Sequence, residues 1–193
     1  TIKSYPVGSI GNSAPLLTGE SSALSKLTIQ NRINELSHVV RFKNSQPLSS
    51  QAVTFFEFSQ DMVGIKRHLT SKNDPTNNSG VGLNGYNENF STDFSFVAYD
   101  IYGNPLEVQQ ENGVSISYIW GYNHTQPVAK IENIAYNSIP LNLRTAIHSA
   151  TTESAMVSAL NALRNHSALV NTMVTTYTYY PLVGIKTMTD PKG

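Results

Sequence analysis

The sequence repeats a short pattern, and this repetition limits the possible folds more than any other feature of the chain. Residues 62–70 read MVGIKRHLT and residues 182–190 read LVGIKTMTD, and an aromatic run precedes each. Tyr99 lies fourteen residues before Gly113, and Tyr179 lies fourteen residues before Gly193, with a proline–leucine pair between them in both cases. Because an internal repeat decides the architecture of a chain, we interpret this one as a series of hairpins, each begun by an aromatic strand and closed by Asn or Gly.

The runs between the turn residues predict strands. They are short and rich in β-branched and aromatic residues, as antiparallel strands are. The predicted strands read KLTIQ, LSHVVRF, AVTFFEF, MVGIKRHLT, DFSFVAY, PLEVQQ, VSISYIWGY, PVAKIEN, MVTTYTYY and LVGIKTMTD. Asn112 and Gly113 fit a tight hairpin turn. In AVTFFEF, Thr54 and Glu57 interrupt the alternation of Val53, Phe55 or Phe56, and Phe58, which predicts bulges or strand ends.

The pattern becomes helical between residues 139 and 169. Apolar residues recur there at helical spacing, first as Leu143, Ile147 and Ala150, then as Met156, Ala159, Leu160 and Leu163. Thr151 or Thr152 is a suitable cap for the second helix. Helices that interrupt a run of strands argue against a parallel α/β sheet. We therefore predict a mainly β fold, an antiparallel β-hairpin sheet with an inserted helical hairpin that covers one face or an edge.

The same patterns divide the chain into four regions. We expect an irregular N-terminal segment (1–25), β-hairpin repeats (26–138) with a long loop (71–92), the helical insert (139–169) and final strands (170–193). The first residues lack the pattern of an export signal, and the last ones begin a turn that expects another strand. We expect both ends to be cut from a larger polypeptide.

Composition excludes several functions. Thirteen basic and thirteen acidic residues give a net charge of zero, which favours neither a nucleic acid nor an anionic membrane surface as partner. No apolar run is long enough for a membrane span, so we expect no membrane insertion. The absence of cysteine excludes disulfides, thiolate metal sites and a cysteine nucleophile.

Few residues have the spacing that catalysis requires. The histidines, at positions 38, 68, 124, 148 and 166, lack metal-ligand spacing, so we expect no metal and no cofactor. Glycoside hydrolysis needs two carboxylates, for which the candidates are Asp93, Asp100, Glu107 and Glu111. Asp100 begins a turn, however, and Glu107 and Glu111 fall on predicted exposed strand positions. We therefore expect no enzymatic activity.

One aromatic set is a candidate binding surface. Tyr118, Trp120 and Tyr122 occupy alternate positions, which places all three on one face of a strand. Such a stripe serves either sheet packing, which we favour, or carbohydrate stacking. His124 follows in a loop, GYNHTQP, that is also a candidate binding element.

The segment YDIYGN at residues 99–104, followed by Gly113, Tyr118, Trp120 and Tyr122, resembles the YD repeat of the Rhs family. Together with the closing TTYTYYPLVGIKTMTDPKG, it is similar to the Rhs-repeat proteins of Bacteroidetes. The similarity covers residues 94–133 and 173–193, and the helical insert departs from the plain repeat. It assigns repeat positions to Tyr99, Asp100, Gly103, Asn104, Gly113, Tyr179 and Gly184.

The resemblance implies a large bacterial protein, secreted or displayed on the cell surface, in which YD repeats wind into a β-sheet shell or stalk. In related proteins such shells enclose or display a variable C-terminal region, often a toxin, and no toxin segment is evident here. The expected partners are neighbouring repeats of the same polypeptide, with self-association through exposed edge strands. A glycan is the alternative partner.

Overall fold

The structure is a computed structural model that describes residues 2–6, 19–59, 61–72, 90–180 and 182–193. It is mainly β, with a helical insertion, as predicted. The chain forms two compact units, Thr1–Phe96 and Val97–Gly193. The strands are β1 (Ile2–Pro6), β2 (Leu36–Lys43), β3 (Gln46–Ser59), β4 (Met62–Lys72), β5 (Ser91–Tyr99), β6 (Pro105–Gln110), β7 (Ser115–Gly121), β8 (Gln126–Glu132), β9 (Met173–Tyr180) and β10 (Gly184–Thr189). The α-helices are α1 (Glu20–Ile29), α2 (Leu141–His148) and α3 (Glu153–Arg164).

The first unit is an antiparallel meander in which each strand from β2 to β5 pairs with the strand before it. Helix α1 lies on this sheet, and its Ala23 and Leu27 are buried against Phe55 and Val63. The spacing of Ala23 and Leu27, four residues apart, puts both side chains on one face of the helix. This small apolar cluster attaches α1 to β3 and β4.

A buried ion pair also holds α1 to the sheet. Arg67 on β4 donates to both carboxylate oxygens of Glu20, through Nε at 2.9 Å and Nη2 at 2.6 Å. Thr54 Oγ1 donates to the same carboxylate at 2.7 Å. Glu20 is fully buried, so these donors replace the water that its charge would otherwise require.

Two predictions for the N-terminal part are wrong. KLTIQ was expected to be a strand, but Lys26–Ile29 form the end of α1, because the neighbouring Ala23 and Leu27 are buried on the sheet. Residues 1–25 were expected to be irregular, yet they contain β1 and the start of α1. The predicted loop 71–92 also begins and ends in strand residues, and its centre, 73–89, lies outside the described residues.

The interruptions predicted in AVTFFEF are confirmed. The pairing of β3 with β4 shifts between Thr54 and Phe55 and again between Glu57 and Ser59. Of the two phenylalanines considered for the buried face, Phe55 is the one that is almost fully buried. The bulge at Thr54 therefore determines which aromatic side chain enters the core.

The second unit is also a meander, in which β7 to β10 each pair antiparallel with the preceding strand. The predicted helical insert is confirmed as α2 and α3, and Thr152 caps α3 by accepting from the Ala155 N–H at 3.2 Å. The helices bury their apolar residues against β7, β8 and β9; this core includes Ile119, Val128, Ile131, Leu143, Ile147, Met156, Leu160, Leu163 and Val174. Among the described residues no helix is long and apolar enough to cross a membrane.

The two segments that share Val-Gly-Ile-Lys adopt the same local structure. In the first unit Gly64 pairs with Phe56 and Ile65 with Phe55, and the register then shifts past Lys66. In the second unit Gly184 pairs with Tyr180 and Ile185 with Tyr179, and the register shifts past Lys186. The sequence repeat is therefore also a repeat of strand register.

The lysine that interrupts the register makes the same contact in both segments. Lys66 Nζ lies 5.6 Å from the centre of the Phe56 ring, and Lys186 Nζ lies 5.0 Å from the centre of the Tyr180 ring. Each ring belongs to the residue that pairs with the glycine of the motif. A cation over an aromatic face is a favourable contact, so the bulge and the lysine–ring pair stabilise the same hairpin geometry twice.

Replacing Glu20 by Ala should lower the free energy of unfolding of the first unit by about 3–5 kcal/mol, because it leaves the Arg67 guanidinium buried without its carboxylate. The control is Glu35→Ala, which removes the partner of Arg32 from a part-exposed pair and should cost about 1 kcal/mol or less. Urea denaturation followed by circular dichroism measures both. Equal costs for the two variants would contradict the structural role of the Glu20–Arg67 pair.

Candidate functional site

The turn between β5 and β6 is built on Asp100. The Asp100 N–H donates to the Asn104 carbonyl at 2.9 Å, and the Gly103 N–H donates to the Asp100 carbonyl at 3.1 Å. Asp100 Oδ1 accepts the N–H groups of Tyr102 at 2.9 Å and Asn104 at 2.8 Å. Gly103 has φ of 86°, in the left-handed region that glycine adopts without steric cost. The aspartate and glycine of the YD-like segment thus both have a structural task.

The same turn geometry recurs along the second unit. Gly113 donates to the Gln110 carbonyl at 2.9 Å and Gly193 donates to the Asp190 carbonyl at 3.1 Å, with φ of 82° and 103° at the two glycines. Asp190 Oδ1 also accepts the Lys192 N–H at 2.8 Å, as Asp100 does for Tyr102. The pattern Asp-x-x-Gly is therefore a repeated turn, which the spacing of tyrosines alone did not reveal.

The hairpin turn predicted at Asn112 and Gly113 is confirmed, although it is not a two-residue type I′ turn. A type I′ turn requires positive φ at both central residues, and only Gly113 has it. The Gln110 N–H donates to the Val114 carbonyl at 3.0 Å, which closes a three-residue loop with glycine at its last position. Gly113 is needed for this loop as well.

The turn between β7 and β8 is strained. Tyr122, Asn123 and His124 are three consecutive residues with φ of 50°, 56° and 62°. Residues other than glycine enter this region at a cost and normally do so singly. The Thr125 N–H donates to the Gly121 carbonyl at 3.1 Å, and Asn104 Nδ2 donates to the His124 carbonyl at 2.8 Å. One hydrogen bond within the turn and one from Asn104 in the neighbouring turn therefore stabilise this left-handed conformation.

The two turns and the end of α2 bring together Asp100, His124 and His148. His124 Nδ1 is buried and lies 3.3 Å from Asp100 Oδ2, without the alignment of a full hydrogen bond. His124 Nε2 lies 3.3 Å from His148 Nδ1, and the two ring centres are 4.6 Å apart. The Tyr102 ring lies 4.7 Å from the His124 ring. We call this set the Asp100–His124–His148 cluster.

The cluster disfavours positive charge on His148. Burial is the largest cause that lowers the pKa of the His148 imidazole below its ordinary value, followed by the neighbouring His124 and by Arg144, while Asp100 acts in the opposite direction. His148 is therefore held in its neutral form near neutral pH.

The structure divides the predicted aromatic stripe. Tyr118 and Trp120 lie on β7, where the register with β8 shifts between Ile119 and Trp120, and the Trp120 indole donates to the Pro105 carbonyl at 2.9 Å. Tyr122 follows the end of the strand, and its left-handed backbone directs it away from them. It packs edge-on against Tyr179, and its hydroxyl accepts the Tyr179 N–H at 3.1 Å. The prediction that all three aromatics share one strand face is wrong for Tyr122.

Tyr122 instead borders a cavity of about 620 Å³. Its walls are formed by Thr125 just before β8, Gln126 at the start of β8, Tyr179 and Tyr180 from the end of β9, and residues 182–184. No charged side chain is among these residues. Burial raises the pKa of the Tyr179 hydroxyl, so this hydroxyl stays neutral, and it donates to the Pro127 carbonyl at 2.8 Å. A neutral cavity of this size fits an uncharged ligand.

Two further candidate carboxylates, Glu107 and Asp93, have local partners, and the prediction that Glu107 is exposed is wrong. Glu107 is buried, accepts from Ser115 Oγ at 2.8 Å and accepts the Tyr136 N–H at 2.9 Å. In the first unit, Asp93 lies 2.7 Å from His68 Nδ1 and accepts from Thr70. Among the described residues no group of three or more histidines and carboxylates could hold a metal ion.

Tyr99 ends β5, where burial raises the pKa of its hydroxyl.

Sequence reasoning selected Asp100 and His124 but missed their contact with His148. His124 and His148 are 24 positions apart and have no mutual spacing signal. Tyr180 and Gln126 were missed for the same reason, since the cavity they border forms only when β8 and β9 pair.

Neither the protein-family models nor the curated proteins include a match to this chain. Its function is therefore inferred from its own residues.

Replacing Asp100 by Ala should lower the free energy of unfolding of the second unit by about 2–3 kcal/mol, because a largely buried carboxylate that accepts several N–H groups is lost. Asp190→Ala is the matched control, since Asp190 is exposed and its side chain accepts the N–H of Lys192, and should cost about 1 kcal/mol or less. Trp120 is the only tryptophan and lies in the second unit, so its fluorescence during urea denaturation measures both values. A cost for Asp100→Ala no greater than that for Asp190→Ala would contradict its role in the turn.

Proposed function

We propose that this chain is a structural segment of a bacterial repeat protein of the Rhs/YD type, secreted or displayed on the cell surface, and that it forms part of a β-sheet shell or stalk without catalysis. The observation that carries this proposal is the hairpin that recurs in the two units. Gly64 and Gly184 occupy equivalent registers, and Lys66 and Lys186 are bulged in the same way. A catalytic site requires a single arrangement of side chains, whereas a β-sheet shell or stalk is built from the same hairpin several times.

The turn chemistry supports the same proposal. Asp100 and Asp190 each begin an Asp-x-x-Gly turn with the same two types of hydrogen bond. An isolated hairpin is only marginally stable, so hairpins of this kind must stack on one another. A stack of similar hairpins uses the same residue type for the same turn in each of them. The carboxylates that would be needed for hydrolysis are engaged in such tasks, since Asp100 holds a turn and Glu107 holds the backbone of Tyr136.

The last strand offers a place for a neighbouring repeat. Ile185 is 59% exposed and Met188 is 62% exposed on β10, whose only strand partner among the described residues is β9. Arg164 from α3 donates to the carbonyls of Thr189 at 3.2 Å and Asp190 at 2.6 Å, so the helix covers the end of the strand. An apolar edge strand invites pairing with another strand.

In solution this chain should self-associate through β10, since the apolar edge is then covered. Light scattering over a concentration series tests this, and Ile185→Lys combined with Met188→Glu should restore the monomer by placing charges on the edge. The control is Leu141→Lys combined with Val170→Glu, which alters two equally exposed apolar residues outside the strands. A monomer at every concentration, or an equal effect of the control pair, would contradict this use of the edge.

A second candidate function is binding of a neutral glycan in a bacterial surface context. The specific observation that favours it is the tyrosine-lined cavity, which combines aromatic rings with a hydroxyl and an amide and has no charged side chain among its described lining residues. Sugar rings stack on aromatic faces and exchange hydrogen bonds with hydroxyl and amide groups. The alternative surface for stacking a sugar ring is the Tyr118–Trp120 platform, formed by these two side chains on β7. Tyr122 is not part of it, because it lies beyond the end of that strand.

Binding to an array of neutral oligosaccharides should be lost in Tyr180→Ala and Gln126→Ala and kept in Trp120→Phe if the cavity is the site. Loss in Trp120→Phe alone would assign the site to the Tyr118–Trp120 platform. Circular dichroism checks that each variant is folded. An array without any ligand for the unmodified chain would contradict a glycan-binding function.

A further inference from the structure

The contacts of His124 with Asp100 and His148 do not close either hairpin, because backbone hydrogen bonds close both turns and Asp100 supports its own turn through the N–H groups of Tyr102 and Asn104. Its members come from three different segments, namely the turn after β5, the turn after β7 and the last residue of α2. The cluster is therefore a tertiary contact between α2 and the strained turn of Tyr122, Asn123 and His124.

Proton positions in the neutral cluster follow from its geometry. The Asp100 carboxylate, 3.3 Å from His124 Nδ1, favours a hydrogen on that nitrogen. His124 Nε2 then has a lone pair and accepts from His148 Nδ1, 3.3 Å away. This arrangement leaves His148 Nε2 as the acceptor site of the pair, with no hydrogen bond among the described residues.

A first proton is compatible with this arrangement. It binds His148 Nε2, while His148 Nδ1 still donates to His124, and Asp100 offsets part of the added charge. A second proton must bind His124 Nε2, and two N–H groups then face each other across 3.3 Å between two cationic rings. The hydrogen bond between the histidines is lost, and the charge repulsion separates the rings.

The groups around the cluster do not neutralise two positive charges. Among the described residues, Asp100 is the one carboxylate in contact with the two histidines, and Arg144 on the same helix as His148 adds a positive charge. The Tyr102 ring, which lies against His124, brings no charge of its own. The end of the α2 helix dipole favours a cation at His148, but the burial of the imidazole opposes it.

We propose that the Asp100–His124–His148 cluster is an acid-sensitive switch: in the neutral state it holds the end of α2 against the Tyr122–His124 turn, and uptake of two protons releases that turn. Tyr122 belongs to this turn and Thr125 directly follows it, and both border the tyrosine-lined cavity. Acidification therefore opens the wall of the cavity. This switch does not depend on the proposed structural or glycan-binding function.

The direction of the pH effect follows from linkage. The pKa of His148 is lower in the folded protein than the unfolded value of 6.5, so the unfolded or opened state binds the proton more strongly. The contact is at full strength above pH 6.5 and is weakened as the pH falls from 6.5 through the lower folded pKa.

The test is hydrogen exchange of residues 121–126 in the full chain between pH 7.5 and 4.5, corrected for the intrinsic effect of pH on exchange. In the unmodified chain the opening constant should rise with a slope that approaches about two protons. In His148→Asn the slope should fall to about one or less, because the Asn amide can donate to His124 Nε2 but takes up no proton. The control is His166→Asn, which replaces the histidine whose side chain caps a short helix at residues 167–169 and should keep the slope of the unmodified chain.

Trp120 fluorescence gives an independent signal, because its indole donates to the carbonyl of Pro105, which directly follows Asn104. It should change over the same pH range in the unmodified chain and in His166→Asn, but not in His148→Asn. Identical pH profiles for all three proteins would overturn the proposal. If His148→Asn does not fold, histidine NMR of the unmodified chain decides, and titration of His148 at its ordinary pKa with unchanged exchange at residues 121–126 would overturn the proposal.

Discussion

The conformation of the turns is the constraint on which the rest of this structure depends. In each unit every strand pairs with the strand next to it along the chain, and where a short turn joins two paired strands that turn fixes their register. Left-handed residues make those reversals possible, and at Gly103 and Gly113 nothing lies within 4 Å of the position that a Cβ would take. Glycine is required there by the backbone angle and not by lack of space.

Charge is used sparingly and mainly to attach one element to another. Glu20 and Arg67 connect α1 to the sheet of the first unit, and Lys186 pairs with Glu153 to connect β10 to α3 in the second. The buried pair is the costly one to break, because its partner would stay without water or counter-charge. The exposed pair is screened by solvent and contributes less. A chain with few charged residues thus concentrates their energetic effect at one buried contact in the first unit.

The strained turn after β7 combines the structural and the chemical features of the second unit. Its three left-handed residues are held by Asn104 and by the contact of His124 with His148. A strained backbone conformation persists only when contacts with the surrounding residues stabilise it. The contact between His124 and His148 is one of these contacts, and a change in pH can remove it because both side chains are titratable. The same turn places Tyr122 against the core and at the border of the cavity, which is why one contact between histidines has consequences for a binding surface.

The sequence by itself determined the local features of this protein. It predicted the strand runs, the helical insert with Thr151 or Thr152 as the cap of its second helix, the irregularities around Thr54 and Glu57, and the repetition of Val-Gly-Ile-Lys, because these depend on residues that are close along the chain. It did not predict α1, since KLTIQ is too short to distinguish a strand from a helix whose Ala23 and Leu27 are buried on a sheet. Only the tertiary structure decided that Tyr122 leaves the aromatic stripe, that His124 meets His148 and that Tyr180 and Gln126 border one cavity. These contacts join residues that are distant in sequence, and the strand pairing and backbone angles that bring them together have no counterpart in a linear pattern.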